Sequence, residues 1–300
     1  MDAQLGIVGV GQMGGGMWRN LQGKGHIAAV YDVNPAACEP LAAMEAPVAK
    51  SPADLAAQAQ TILLSLPTSR HVEEALLGKD GVVEGARPGA TIIDTTSGHP
   101  TMTKEIARRV EERGLHMIDA GISGGARGAL DGSLLIMIGG DAGIVEKHMP
   151  LFELMGNNIH HCGDVGAGHT MKTLLNLRNQ TAIIQTVEVL LIGAKAGLDP
   201  MKVAEVTGAG MIYTDMIMNP EGRRAIGFSL GLASKDQDVA LSLAMDLGIP
   251  AMVSSSAQQF LRMALAEVGP DADVWRYVDV QENWAGQRLP GRDAAEAQGK

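Results

Sequence analysis

The chain has 300 residues, 46% of them hydrophobic and 19% charged, which is enough apolar material to bury one large core or two moderate ones. A formal net charge of -10 and an aromatic content of 3% argue against a nucleic-acid partner, because phosphates would be repelled and few rings could stack on bases. A local basic pocket for a small anion remains compatible with this composition.

The first half of the chain alternates short apolar runs with Ala- and Leu-rich stretches. The predicted strands are residues 6–10, 27–31, 61–66, 91–93, 115–118 and 133–138. Helix starts are indicated at the pairs Asn34-Pro35, Ser51-Pro52, Thr68-Ser69 and His99-Pro100. This alternation predicts an α/β domain with a parallel, doubly wound Rossmann sheet covered by helices on both faces.

The second half is predicted to be helical. Residues 167–195 contain no proline and a dense apolar pattern, which indicates one helix some ~45 Å long. Shorter helical stretches follow, broken at residues 199–200, 219–220 and 249–250. We therefore expect a Rossmann domain of residues 1–163 and an all-α domain of residues 164–300, linked by the long helix, with a loose tail over residues 285–300.

A glycine pattern follows the first predicted strand and opens a helix, in the form GxGxxG. Gly9 would permit the tight turn, Gly11 would let the backbone approach a pyrophosphate, and Gly14 would let the helix pack on the strand. The N–H groups at the helix start, around Gln12 and Met13, would face the phosphates. These five residues are the predicted cofactor-binding loop.

Asp32 ends the second predicted strand, near the ~20-residue offset expected of an acid that binds the cofactor ribose. No arginine follows it, and its carboxylate would repel a 2′-phosphate. The pair of features predicts NAD rather than NADP as the cofactor. The alternative is an ordinary strand–turn–helix with a surface aspartate.

A polar stripe interrupts the long apolar helix. Lys172 and Asn176 are four residues apart and share one face, which Gln180 continues. Gly166 and Gly168 just before them would allow a close approach of backbone and ligand.

A second polar element is the segment Ser123-Gly124-Gly125 at a predicted strand end, the edge where open sheets bind ligands. Its hydroxyl and N–H groups could form a nest for a substrate carboxylate.

Together with the glycine loop, DAGISGG at residues 119–125, GAGHTMK at 166–172 and the pair Lys235-Asp236 resemble the β-hydroxyacid dehydrogenase family, which includes 3-hydroxyisobutyrate dehydrogenase. The resemblance runs from residue 6 to about residue 244, with the motifs in the family's order. It implies an NAD-dependent enzyme that transfers hydride between the cofactor and a small anionic β-hydroxyacid or its aldehyde.

The resemblance also implies roles for single residues. Lys172 would be the general acid and base, and oxidation favours lowering its pKa from about 10.4 by desolvation. Asn176 would hold the substrate hydroxyl or carboxylate in register with it. The expected substrate-binding residues are Ser123, Gly124, Gly125 and Tyr213, and the expected further cofactor contacts are Pro67, Thr68, Thr96 and Lys235. Thr68 could equally be a turn residue.

Four positions depart from the family pattern. Gly121 and Ile122 stand where relatives usually have proline and valine, and Leu175 stands where asparagine is common. Arg127, where many relatives have proline, could bind a second anionic group on the substrate or could be a surface charge. Met211, Met216 and Met218 are expected to fill core space more than to shape a pocket.

The histidines and cysteines of the chain do not indicate a metal site or a disulfide. His160, His161 and Cys162 would alternate along a strand, so we expect no metal site. Cys38 and Cys162 show no disulfide or zinc spacing.

No basic leader or membrane-length apolar run is present, so a cytoplasmic protein without a membrane partner is expected. The apolar helical domain favours a homodimer or homotetramer. A non-catalytic NAD sensor and an imine reductase-like enzyme are the alternatives. Lys172 argues against the imine reductase, and the sensor is disfavoured by the joint presence of Ser123, Lys172, Asn176 and Lys235.

Overall fold

Strands alternate with helices through the first half of the chain, as the apolar runs predict. The computed structural model describes residues 5–26, 28–209, 217–218 and 228–289. The chain separates into two compact units, Met1–Thr173 and Leu174–Lys300. The expected domain boundary between residues 163 and 164 stays a prediction.

One seven-stranded sheet forms the centre of the first unit, with the order β2-β1-β3-β4-β5-β6-β7. The strands are β1 (Leu5–Val8), β2 (Ala28–Tyr31), β3 (Thr61–Leu64), β4 (Thr91–Asp94), β5 (His116–Ser123), β6 (Leu134–Gly139) and β7 (Gly156–Gly163). The first five pair in parallel, which confirms the predicted Rossmann sheet.

The sheet is not parallel throughout, because β6 pairs antiparallel with β5. Only the short helix α7 (Gly125–Asp131) lies between the two strands, and parallel neighbours need a crossover of a dozen or more residues. The expectation of an all-parallel sheet is therefore wrong at this pair. Strand β7 pairs in parallel with β6 again, after the longer helix α8 (Ala142–Met155).

The remaining helices of the first unit cover the sheet. They are α1 (Gln12–Gly23), α2 (Pro35–Ala42), α3 (Pro52–Gln58), α4 (Ser69–Leu77), α5 (Val82–Gly85) and α6 (Pro100–Glu111). The side chains of Asn34 and Ser51 cap α2 and α3, as their place before a proline predicts. Alternate strand residues enter two separate apolar cores, for example Ile7 in one and Val8 in the other, so both faces of the sheet are buried.

The second unit is built from helices. The long helix α9 (Ala167–Lys195) begins in the first unit and spans 29 residues, which confirms the prediction of one long helix. The helices α10 (Pro200–Thr207), α11 (Leu230–Asp246), α12 (Met252–Val268) and α13 (Arg276–Ala285) follow. Asp199 caps α10 at the predicted break, whereas the predicted break at residues 219–220 lies outside the described residues.

The end of α13 differs from the expected loose tail. Leu289 is fully buried, and its N–H donates to Glu282 Oε1 at 2.9 Å. Arg288 pairs with the same carboxylate at 3.0 Å. The expectation of a loose tail is therefore wrong for residues 286–289, and residues 290–300 lie outside the described residues. Among the helices that the structure describes, none combines the length and apolarity needed to cross a bilayer.

Candidate active site

The predicted site residues of the first unit line up along one edge of the sheet, where its parallel strands end. In the order of the strands, they are Asp32 after β2, Gly9 after β1, Pro67 and Thr68 after β3, Thr96 after β4 and Ser123 at the end of β5. The sheet order thus brings residues that are far apart in sequence into one continuous row.

The glycine loop has the geometry that its sequence predicts. Gly9 has a φ of +87°, a conformation that favours glycine. A Cβ at Gly14 would collide with the carbonyl oxygen of Gly9, so this glycine lets the helix approach the strand. A Cβ at Gly11, in contrast, would meet no atom within 4 Å, which leaves open space above the backbone.

The start of α1 is prepared for an anion. Gly11 caps the helix without a side-chain hydrogen bond, and the first turn, which includes Gln12 and Met13, carries no acidic residue. Its N–H groups are therefore left for a ligand, and the helix dipole favours a negative charge there. These observations fit a dinucleotide pyrophosphate bound at Gly9, Gly11 and Gly14.

The carboxylate of Asp32 is held in place by the backbone. Its Oδ2 accepts a hydrogen bond from the Val10 N–H at 2.9 Å and its Oδ1 accepts one from the Asn34 N–H at 2.9 Å. The bond to Val10 ties the end of β2 to the glycine loop. The negative charge is thus fixed beside the loop, as required of a ribose-binding acid.

Thr96 is buried and braces the neighbouring loop. Its Oγ1 accepts from the Leu66 N–H at 3.1 Å, and its own N–H donates to Asp94 Oδ1 at 3.0 Å. Thr68 Oγ1 lies 2.8 Å from His71 Nδ1. The cofactor contacts of Pro67, Thr68 and Thr96 stay predictions, and Thr96 has in addition a structural role that its sequence did not indicate.

Asp119 is an organising residue that sequence reasoning missed. Its fully buried carboxylate accepts from the Gly166 N–H at 2.5 Å and from the His169 N–H at 2.6 Å. An anion at a helix N-terminus is favoured by the free N–H groups and the helix dipole. Asp119 therefore fixes the first turn of α9 to strand β5.

His169 adds two further attachments to the same turn. Its Nε2 donates to the carbonyl oxygen of Asp94 at 3.1 Å, and its Nδ1 lies 2.8 Å from Thr103 Oγ1 in α6. Burial raises the pKa of the Asp94 carboxyl, which the nearby His169 and Thr96 lower in part. The imidazole thus joins α9 to β4 and α6.

Lys172 lies in the second turn of α9, one turn beyond these attachments, and is half-buried. Ser123 ends β5, and Gly124 and Gly125 follow with φ angles of 134° and 65°. Positive φ at both positions is a conformation that favours glycine, and the backbone nest expected here stays a prediction. Arg127 lies on α7 with a side chain that is 94% exposed, 3.8 Å from Asp131, a position that favours the surface-charge interpretation.

The second unit contains the other predicted residues. Asn176 Nδ2 donates to Asp236 Oδ2 at 2.8 Å, and Lys235 Nζ lies 2.7 Å from Asp236 Oδ1. The buried Asp236 thus binds both Asn176 and Lys235. In the sequence, the only sign of this role is that Asp236 is adjacent to Lys235.

Tyr213, the expected substrate contact, and Met211 and Met216, expected to fill core space, lie outside the described residues. Met218 packs against the core of the helical unit, as expected for core filling. No group of three or more His, Cys, Asp or Glu side chains is arranged for a metal ion in the described ranges. His161 Nε2 instead bonds to the carbonyl oxygen of Gly140 at 2.9 Å.

Two family models match the chain in succession. Residues 4–163 match the NAD binding domain of 6-phosphogluconate dehydrogenase, and residues 166–280 match the NAD-binding domain of NADP-dependent 3-hydroxyisobutyrate dehydrogenase.

Named proteins match over most of the chain. A probable mitochondrial 3-hydroxyisobutyrate dehydrogenase from Dictyostelium discoideum is 33% identical over 88% of this chain and 86% of its own length. The 2-hydroxy-3-oxopropionate reductase of Escherichia coli is 34% identical over 95% of this chain and 99% of its own. The structure of Mycobacterium tuberculosis 3-hydroxyisobutyrate dehydrogenase with L-serine has a TM-score of 0.84, at 27% identity over 94% of this chain and 99% of that one.

The fold, the glycine loop and these matches define an enzyme, an NAD(P)-binding oxidoreductase with a Rossmann domain followed by a helical domain. The chain belongs to the β-hydroxyacid dehydrogenase family, as its motifs predict.

Proposed function

We propose that the protein interconverts a small β-hydroxyacid and its aldehyde or ketone, with NAD as the hydride carrier and Lys172 as the general acid and base. The observation that carries the proposal is the placement of Lys172. It lies one turn beyond the part of α9 that Asp119 fixes to β5, and β5 ends in Ser123. The relatives, a probable 3-hydroxyisobutyrate dehydrogenase and a 2-hydroxy-3-oxopropionate reductase, support the same class of substrate, since both names refer to small hydroxyacids.

Backbone and side-chain groups of the site would have separate roles in the reaction. The N–H groups of Gly124 and Gly125 and the hydroxyl of Ser123 would bind the substrate carboxylate. Neutral Lys172 would take the hydroxyl proton in oxidation, and its ammonium form would protonate the alkoxide oxygen in reduction. Asn176, whose Nδ2 donates to Asp236, would hold the substrate hydroxyl or carboxylate in register with Lys172. The cofactor, when bound, accepts or supplies the hydride.

A preference for NAD over NADP rests on Asp32. Its carboxylate is fixed by two backbone N–H groups and cannot easily turn away from a ribose 2′-phosphate. A fixed negative charge would repel that phosphate, whereas the free ribose hydroxyls could donate to it. The nicotinamide end would be contacted by Lys235, which Asp236 holds.

The helical unit supplies the argument for a homo-oligomer. It exposes several large apolar side chains, among them Ile192 (69%), Val206 (75%), Met245 (75%) and Met252 (77%). Exposed apolar surface of this kind is commonly buried between copies. A monomeric mass in light scattering at micromolar concentration would exclude the oligomer. The cytoplasmic location and the absence of nucleic-acid and membrane partners stay predictions from composition.

The test is absorbance at the NADH band with wild type and Lys172→Ala. Substrates are 3-hydroxyisobutyrate, glycerate, serine, threonate and 2,3-dihydroxypropanesulfonate, each with NAD and with NADP. Loss of the acid–base group should lower kcat by about a hundred- to ten-thousandfold while NADH binding is unchanged. Lys202→Ala, at an exposed lysine paired with Glu205, is the matched control and should retain full activity.

Two results would contradict the proposal. One is turnover by Lys172→Ala at the rate of the wild type, which would remove Lys172 as the acid and base. The other is NADH binding without turnover of any hydroxyacid in the panel, which would favour a cofactor sensor instead.

A further inference from the structure

His169 is a buried side chain in the first turn of α9, three residues before Lys172. Its Nε2 lies 3.1 Å from the carbonyl oxygen of Asp94, and its Nδ1 lies 2.8 Å from Thr103 Oγ1. A carbonyl oxygen can only accept a hydrogen bond, so Nε2 carries a proton. The imidazole therefore binds the end of β4 through one nitrogen and α6 through the other.

The ring of His169 is enclosed as well as hydrogen-bonded. A Cβ at Gly98 would lie 2.8 Å from His169 Nδ1 and 3.0 Å from its Cε1, so the loop after β4 packs against the imidazole. Thr103 Oγ1 is itself 3.1 Å from the carbonyl oxygen of His99, to which it can donate. A ring with two hydrogen-bond partners, packed against backbone, has little freedom to change its rotamer.

The imidazole opposes a movement that the anchor at Asp119 leaves possible. Asp119 binds N–H groups of the helix backbone, which lie close to the helix axis, so it resists rotation of α9 about that axis only weakly. The contacts of the imidazole lie further from the axis, where the same force resists rotation more strongly. A rotation of about 10° moves the end of a side chain that is roughly 5–6 Å from the axis by about 1 Å. Such a rotation would displace Lys172, and His169 opposes it.

Asp94 extends this attachment to the loops that are expected to bind the cofactor. Its carbonyl oxygen accepts from His169, and its carboxylate accepts from the Thr96 N–H at 3.0 Å. Thr96 Oγ1 accepts from the N–H of Leu66, the residue before Pro67. Successive hydrogen bonds thus connect the loops after β3 and β4 with the first turn of α9, all of them within the first unit.

We propose that His169 is a positioning residue, which holds Lys172 in a fixed place relative to the loops that are expected to bind the cofactor. The hydride leaves or reaches a carbon of the substrate, and the proton leaves or reaches the oxygen on that carbon. The groups that transfer them therefore need a common frame of reference. The bonds of His169 to Asp94 and Thr103 supply this frame. The inference rests on the proposed function, because it assumes that Lys172 is the acid and base.

The first test is His169→Leu, which removes both hydrogen bonds and keeps a buried apolar side chain. We expect kcat to fall roughly ten- to a hundredfold, since misplacing a reacting group by about 1 Å can cost ~100-fold. NADH affinity, measured by fluorescence, should change far less than kcat, because the glycine loop and Asp32 are untouched. His169→Gln should keep most of the wild-type kcat, because its amide N–H can donate to the Asp94 carbonyl oxygen. His160→Leu, at an exposed histidine of β7, is the matched control and should keep the wild-type kcat.

The solvent deuterium isotope effect separates positioning from a general loss of structure. In His169→Leu the proton transfer becomes the slower step, so the isotope effect on kcat/KM should be larger than in the wild type. A smaller fraction of folded enzyme would lower kcat in proportion without altering the isotope effect. A wild-type kcat in His169→Leu would overturn the inference, and so would a lower kcat with an unchanged isotope effect or an equal loss in His169→Gln.

A second pair of variants covers the case in which His169→Leu does not fold. Thr103→Val is nearly isosteric and removes only the hydroxyl that meets Nδ1, whereas Thr103→Ser retains the hydroxyl. We expect a lower kcat and a larger isotope effect in Thr103→Val and wild-type values in Thr103→Ser. Equal values in the two variants would refute positioning by His169. Failure of the proposed function is seen separately, in an active Lys172→Ala or a silent wild type.

Discussion

Asp236 is expected to stabilise the helical unit, because its buried carboxylate joins two helices. It accepts from Asn176 Nδ2 at 2.8 Å and pairs with Lys235 Nζ at 2.7 Å. In Asp236→Ala the charge-assisted bond to Asn176, worth about 1.5–3 kcal/mol, is lost and its donor is left without this acceptor. The pair with Lys235 adds less, since the lysine side chain is 28% exposed. We expect a total loss of about 2–3 kcal/mol.

This loss has a measurable thermal consequence. At about 2–4 °C per kcal/mol for a unit of this size, the melting transition of the helical unit should fall by roughly 4–12 °C. Differential scanning calorimetry with saturating NADH measures it, and the same variant should raise KM for the substrate, since Asn176 is no longer oriented. Glu205→Ala removes an exposed ion pair with Lys202 and should shift melting by no more than about 1–2 °C. Equal melting of the two variants would refute the reasoning.

Two further predictions concern the first unit. Asp32→Ala should lower the ratio of kcat/KM for NAD to that for NADP at least tenfold, because the fixed charge is removed. Glu39→Ala is the control and should keep the wild-type ratio. An unchanged ratio in Asp32→Ala would exclude Asp32 as the determinant of cofactor preference. Burial lowers the pKa of His148, so the unfolded chain takes up the proton more readily, and stability is lost as pH falls below about 6.5. The free energy of unfolding, measured by urea unfolding at pH 7 and pH 5.5, should fall less between these pH values in His148→Gln than in the wild type. His160→Gln, at an exposed histidine, should lose as much as the wild type. An equal loss in all three proteins would exclude His148 as the source of the pH dependence.

The elements that local patterns determine were predictable from the sequence. The apolar runs located the parallel strands, the Asn34-Pro35 and Ser51-Pro52 pairs located two helix starts, and the absence of proline from residue 167 to residue 195 gave the long helix. The direction of β6 was not predictable in the same way, because it depends on whether the short α7 segment can make a crossover.

The organising residues of the site were harder to find, because their contacts are distant in sequence. Asp119 binds backbone N–H groups 47 and 50 residues away, and Asp236 binds an amide 60 residues away. Local patterns carry no signal of such pairs, whereas the glycine loop and Asp32 lie within one strand–helix–strand unit. Gly121 is visible in the sequence only as a departure from the family pattern, and its proximity to Lys172 becomes visible only in the folded chain.

The attachment of Lys172 has a consequence for how a family of this kind can diversify. The hydrogen bonds that hold the first turn of α9, one turn before Lys172, run from the Gly166 and His169 N–H groups to Asp119 and lie within the first unit. Substitutions that accumulate in the helical unit therefore leave this anchor of α9 on strand β5 unchanged. Relatives can therefore differ in the rest of the helical unit and still begin the long helix at the same place on the sheet.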